Sequence, residues 1–204
     1  MNFFSLFKRN LIFHLKKKID IDNHNFEKNI KLEKLFSFYK TDKAKFIEED
    51  GVSGHGFSEF YEKHFLSLKE KNLKILEIGS FSGASAAAFS KYFVNSEIYC
   101  LDVNLTKFLY KSAKIFPYGL DITNQKMIKQ FLKKINSEKK ISSFDIIIDD
   151  GSHLLSHQIK SLNYFFKYVR TGGFYVIEDF KFSEYFNHLK DVNELSIYEI
   201  IKNI

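Results

Sequence analysis

Cysteine is nearly absent from this 204-residue sequence: Cys100 stands alone. No intrachain disulfide can form, which excludes a stapled secreted scaffold and points to a reducing compartment, the cytoplasm. Tryptophan is missing, and proline occurs once. Arginine is scarce too, with Arg9 and Arg170 the only two among 31 basic residues. Arginine makes the commonest specific contact to base edges. The chain carries a net charge of +6, yet it does not read as a sequence-specific nucleic-acid binder. No apolar run is long enough to span a bilayer. Residues 1–20 are basic and apolar but lack a clean hydrophobic stretch and a small-residue cleavage site, so they are not a secretory signal. What is present is the composition of a soluble globule with a sizeable core: 45% hydrophobic and 27% charged residues, enough for one domain with small additions. Cys100 lies within an apolar run and reads as an inert core thiol.

Two regimes follow each other. Residues 1–70 read as a helical region. Its first segment repeats Phe3, Phe4, Phe7, Leu11 and Leu15 at helical spacing, with Lys8, Arg9, Lys16, Lys17 and Lys18 between them. This is a helix packed on its own domain or on a second subunit; an interfacial membrane helix is the alternative. Phe57, Phe60, Tyr61, Phe65 and Leu68 form another apolar stripe, so residues 57–68 read as an amphipathic helix. Residues 71–204 alternate short apolar strands with helices, the pattern of a parallel α/β sheet. The expected strands are 73–79, 97–102, 114–119 (demoted toward an edge by Pro117), 144–149 and 173–177. The expected helices between them include one around residues 127–135 and one over residues 155–169.

The first strand runs into Glu77-Ile78-Gly79-Ser80-Phe81-Ser82-Gly83, with a helix beginning at Ala84. Glycines at a strand end and helix start let backbone approach a ligand and free the helix amides. The spacing is E-x-G-x-x-x-G rather than the G-x-G-x-x-G of a dinucleotide fold. It resembles motif I of class I S-adenosylmethionine-dependent methyltransferases. Asp102 ends the second strand, roughly 20 residues on, where an acidic side chain can accept ribose hydroxyls. Asp121, after the third strand, meets the adenine end or caps the following helix. The candidate cofactor contacts are Glu77, Gly79, Ser80, Gly83, Asp102, Asp121 and Asp149.

The fourth strand ends in Asp149-Asp150-Gly151-Ser152-His153 and the fifth in Glu178-Asp179. Adjacent parallel strands would bring these carboxylates together at the ligand crevice. So many uncompensated acids repel one another, and a hard divalent cation such as magnesium resolves this with oxygen ligands. The competing reading is a set of separate solvated loop acids. His153 is placed for a general base. An H-x-x-x-H zinc pair with His157 is disfavoured among hard ligands.

Taken together, the chain resembles the magnesium-dependent sugar O-methyltransferases typified by the macrocin and mycinamicin enzymes. The matching stretches are Thr41-Asp42-Lys43, Gly54-His55-Gly56-Phe57 with Glu59-Phe60-Tyr61-Glu62, Lys74 to Gly79, Asp149 to His153, His157-Gln158, and Gly172-Gly173 through Val176-Ile177-Glu178-Asp179. The resemblance implies a Rossmann-like methyltransferase sheet, S-adenosylmethionine and Mg2+ as cofactors, and an oligomeric assembly. It also implies Asp150, Glu178 and Asp179 as metal ligands and His153 as the base. The implied acceptor is a small molecule, a sugar or nucleotide sugar; another polyol, an amide or a phosphoramide stays open. A non-catalytic cofactor-binding protein is the rival reading. The region from Thr41 to Phe57 is expected to fold over the site as a lid. Three features depart from the family: residues 44–53 look like an insertion, Phe57 stands where tyrosine is usual, and no strand pair follows Asp179. The last leads to the expectation of a truncated product with about five strands, its fifth an edge.

Overall fold

The structure is a computed structural model that describes residues 3–180 and 197–202. The N-terminal part runs through α1 (Phe3–Leu15), β1 (Ile19–Asp20), α2 (Leu32–Phe38), β2 (Phe46–Ile47), β3 (Val52–Ser53) and α3 (Ser58–Phe65). Then come β4 (Lys74–Ile78), α4 (Ala84–Tyr92), β5 (Glu97–Asp102), β6 (Tyr110–Lys111), β7 (Ile115–Gly119), α5 (Gln125–Lys139), β8 (Phe144–Asp149), α6 (Leu155–Phe165) and β9 (Val169–Ile177). A last helix, α7, covers Ile197–Lys202; the sequence from Asp191 to Ile204 reads as one helix-like segment, and its other residues lie outside the described ones.

Five strands form one parallel sheet in the order β7-β5-β4-β8-β9. The chain starts at the centre, winds outward to β7, then crosses back to β8 and β9. This reversal opens a crevice at the carboxyl ends of β4 and β8, where ligands of such sheets bind. The central strands are apolar at most of their interior positions because both faces are covered. Ile75, Ile98, Cys100, Ile146 and Ile148 face one core with α4, while Leu76, Ile78, Tyr99, Leu101 and Ile147 face the other with α5. Pro117 sits in β7, which pairs only with β5 within this sheet, so its missing N–H costs no ladder bond.

The N-terminal helices share the first of these cores. Phe13, Ile21, Leu32, Leu35, Phe36, Tyr61 and Phe65 cluster with Ile75, Ala87 and Phe89. Three boundaries differ from the sequence expectation. The region before residue 70 contains strands: β1 pairs with β6, and β2 with β3. The helix expected to reach residue 169 stops at Phe165, and a 3-10 turn at Phe166–Tyr168 follows. β9 begins at Val169 rather than 173, because a register shift opposite Phe144 and Ile146 absorbs the glycine pair that looked like a strand boundary.

Candidate active site

The loop after β4 is set by two glycines in the left-handed region, Gly79 (φ +86°) and Gly83 (φ +75°). A Cβ on Gly79 would overlap the backbone carbonyl of Asp150. Gly79 therefore lets β8 deliver Asp150 directly beside the loop. A Cβ on Gly83 would strike the Phe108 ring, so this glycine is needed for packing beneath α4, whose first helical residue it precedes. The Gly79 N–H donates to Leu101 O at 2.8 Å and the Gly83 N–H to Ser80 O at 2.7 Å.

Asp102 ties this loop to the next. Its Oδ2 accepts from the Phe81 N–H at 2.8 Å and its Oδ1 from the Asn104 N–H at 2.6 Å. Asp121 Oδ1 accepts from the Thr123 N–H and hydroxyl. Burial pushes the Asp121 carboxyl up, but those donations outweigh it and leave it below the usual range. A cleft of about 850 Å³ joins these groups, lined by Gly79, Ser80, Asp102 and Asp121 together with Asp150 and His153.

Asp150, His153 and Asp179 each offer a ligand atom within 4.8 Å of the others. His153 Nδ1 and Asp179 Oδ2 are 3.9 Å apart. Both residues hold left-handed backbone, at φ 57° and 52°, a conformation that non-glycine residues keep only where the surroundings enforce it. Glu178 is arranged differently. Its Oε2 accepts from Lys43 Nζ at 2.5 Å, its Oε1 accepts from the Tyr61 hydroxyl, and Lys43 also donates to Asp150 Oδ2. Lys43 is 2% exposed. Burial pulls its pKa down, but Glu178, Asp150 and Glu77 raise it further, so it is charged. Burial also lifts Glu178 above the ordinary carboxylate range, against the pull of Lys43.

The fold thus brings Gly79, Ser80, Asp102, Asp121, Asp150 and His153 to one cleft, with Asp179 beside the last two. Glu77, Gly83 and Asp149 do not line it. Glu77 is fully buried under α4, accepting from Ser85 Oγ, and its Oε2 has no hydrogen-bond partner among the described residues. Desolvation raises its pKa. Asp149 points away toward Tyr175, whose hydroxyl donates to it at 3.4 Å, and burial pushes its carboxyl up to about 6. His157 pairs with Ser152 across 2.6 Å, and burial lowers its pKa.

Reading the sequence for chemistry alone missed Lys43 and Tyr61, although both lie in stretches that carried the family resemblance. Tyr61 was legible as part of an apolar helix stripe but not as a partner of an acid, and a loop lysine has no local mark of burial; the strap from Thr41 to Phe57 places Lys43, and α3 places Tyr61. Residues 44–53, the apparent insertion, form the β2–β3 hairpin, which returns Gly54 to Phe57 alongside Asp42 to Lys45. Four backbone bonds close this strap: Gly54 N–H to Lys45 O at 3.1 Å, His55 to Asp42 at 2.6 Å, Gly56 to Ala44 at 3.0 Å and Phe57 to Lys43 at 2.9 Å.

No family model matches the chain. It is 32% identical over 155 residues to the mycinamicin VI 2''-O-methyltransferase of Micromonospora griseorubida, covering 72% of this chain and 35% of that protein. It is 33% identical over 139 residues to the 8-demethyl-8-(2-methoxy-alpha-L-rhamnosyl)-tetracenomycin-C 3'-O-methyltransferase of Streptomyces olivaceus, covering 61% and 32%. Among solved structures, the MycE methyltransferase from the mycinamycin biosynthetic pathway, in complex with Mg, SAH and mycinamycin VI, matches with a TM-score of 0.70 at 26% identity. That match covers 85% of this chain and 47% of the other. The chain spans about a third of the length of the curated relatives it matches.

Proposed function

The chain is a relative of the sugar O-methyltransferases typified by the macrocin and mycinamicin enzymes, and on that premise we propose that it transfers a methyl group from S-adenosylmethionine to a hydroxyl of a sugar or sugar-like small molecule. One observation carries the reading: a single cleft joins the glycine loop and Asp102 to the Asp150–His153–Asp179 cluster. Donor and acceptor can therefore meet within one enclosure, which is most of what methyl transfer requires of a protein.

The donor set fits magnesium, since hard carboxylate oxygens converge at the cluster. Asp150, Glu178 and Asp179 would hold it; Glu178 reaches it only by sharing the oxygens now engaged by Lys43 and Tyr61. When bound, magnesium supplies charge that gathers acceptor oxygens and lowers the hydroxyl pKa. Asp102 and Asp121 orient the donor's ribose and adenine, and the Gly79–Gly83 loop lets its backbone come close. Glu77 and Asp149 act from behind the cleft wall, fixing the loop and the β8 end. His153 accepts the acceptor's proton at a ring nitrogen as the oxygen attacks the sulfonium methyl. The strap from Thr41 to Phe57 serves as the lid of an N-terminal region (1–70) that covers the methyltransferase domain (71–204).

The reading extends to a cytoplasmic homo-oligomer. α1 packs on its own domain through Leu6 and Phe13 yet leaves Phe4, Phe7, Leu11 and Leu15 exposed, which supports a second copy there. A membrane contact through the same strip and Lys8, Lys16 and Lys17 is the alternative; no helix among the described residues is long and apolar enough to cross a membrane.

The test is transfer of labelled methyl to a panel of sugars and nucleotide sugars. Activity should vanish in EDTA and return with magnesium, and His153→Ala should lose on the order of 10²–10⁴ in rate while binding S-adenosylhomocysteine as before. Binding of S-adenosylhomocysteine without transfer to any acceptor would favour the non-catalytic reading.

A further inference from the structure

Among the described residues, Lys43 is the one basic side chain buried in the protein. Its ammonium touches Asp150 and Glu178 and feels the field of Glu77. Asp150, one of its two partners, in turn lies with ligand atoms of Asp179 and His153 inside 4.8 Å of one another. A buried ammonium is costly unless its contacts are well made, and here the strap is built to make them. Phe57 holds the Lys43 carbonyl, and the Thr41 hydroxyl accepts from the Lys43 N–H at 3.4 Å. A Cβ on Gly54 would overlap the carbonyls of Asp42 and Ala44, on either side of Lys43. Tyr61 fixes the remaining oxygen of Glu178.

We propose that Lys43 is a positioning residue and the resident counter-ion of the acidic cluster: it orients Asp150 and Glu178 and sets the affinity and charge selectivity with which the cluster takes up an added cation. The inference rests on the reading above only for the identity of the site. Its physical basis is simple. Without Lys43, four carboxyl groups (Glu77, Asp150, Glu178 and Asp179) would crowd the ends of the three adjacent strands β4, β8 and β9. With it, one of those negative charges is balanced before any ion arrives. A fixed positive charge beside the site repels every incoming cation, and repels a trivalent one more than a divalent one because the interaction scales with charge. Lys43 therefore weakens cation binding overall and lowers the site's preference for trivalent over divalent ions. It also links the lid to the site, since the strap cannot leave without withdrawing the ammonium.

The test uses the whole chain and the metals alone, with no acceptor. Titration with MnCl2 by calorimetry and with TbCl3 by luminescence compares wild type, Lys43→Met, Lys43→Arg and Tyr61→Phe. Lys43→Met should bind Mn2+ at least tenfold more tightly than wild type and gain still more for Tb3+, so that the Tb3+ to Mn2+ affinity ratio rises. Lys43→Arg keeps the charge and should stay within about threefold of wild type. Tyr61→Phe removes a hydrogen bond to Glu178 without changing charge, and should also stay within about threefold. If Lys43→Met is unfolded when metal-free, recovery of its folded circular-dichroism signal by Mn2+ supports the proposal; failure to recover overturns it. Unchanged or weaker Mn2+ binding by folded Lys43→Met overturns it, as does absence of binding by both proteins. Binding by Lys43→Met alone supports it. The methyltransferase reading is judged separately, by S-adenosylhomocysteine binding and methyl transfer in the wild type.

Discussion

Substituting Gly54 by alanine tests how the strap is held. The glycine α-carbon lies against the carbonyl oxygens of Ala44 and Asp42, and an added Cβ would overlap both. These are backbone atoms and cannot swing aside as a side chain would. They are also the acceptors for the Gly56 and His55 N–H groups. The strap must therefore open at those two bonds. At about 0.5–1.5 kcal/mol per bond, the local loss is about 1–3 kcal/mol, or roughly 5- to 150-fold in the opening equilibrium. Native-state hydrogen exchange should show this acceleration at His55 and Gly56, while amides of β4 and β8 in the sheet centre exchange at wild-type rates. Lys43 should become accessible as well, and a lysine-specific reagent would label it faster in the variant. Exchange at these two amides within about twofold of wild type would refute the reasoning, because a closed strap has no room for the methyl group.

Asp149→Asn should stabilise the protein at alkaline pH. The Asp149 carboxyl is raised from its ordinary value to about 6, so the native state binds that proton more tightly than the unfolded chain. Ionisation therefore costs stability, nothing below about pH 4 and an amount that grows to its full size above about pH 6, on the order of 3 kcal/mol. Denaturant melts should show the variant's advantage at pH 8 and none at pH 4; a gain independent of pH would contradict the account. Asp102→Ala should weaken S-adenosylhomocysteine binding by about 1.5–3 kcal/mol for a lost charged acceptor, read by calorimetry. It also releases the Phe81 and Asn104 amides, so a loss confined to the ribose predicts that 2'-deoxy and 3'-deoxy analogues distinguish wild type but not the variant.

The sequence by itself determined the sheet. Predominantly apolar runs such as those within Lys74–Ile78 and Phe144–Asp149 need cover on both faces, and helices with 3.6-residue periodicity supply it. The glycine loop, Asp102 and the Asp149-to-His153 run were legible for the same reason: their chemistry depends on residue type and short spacing. Tertiary structure alone decided which carboxylates share a space. Asp149 and Asp150 are neighbours in the chain, yet strand alternation sends one toward Tyr175 and the other into the cleft. Glu178 and Asp179 divide likewise, one onto Lys43 and Tyr61, the other toward His153. Lys43 could not be seen as a buried counter-ion from its surroundings in the chain, because the acids it meets lie more than a hundred residues away. Burial and charge compensation are properties of neighbours in space, and the strap closed by Gly54 makes those neighbours.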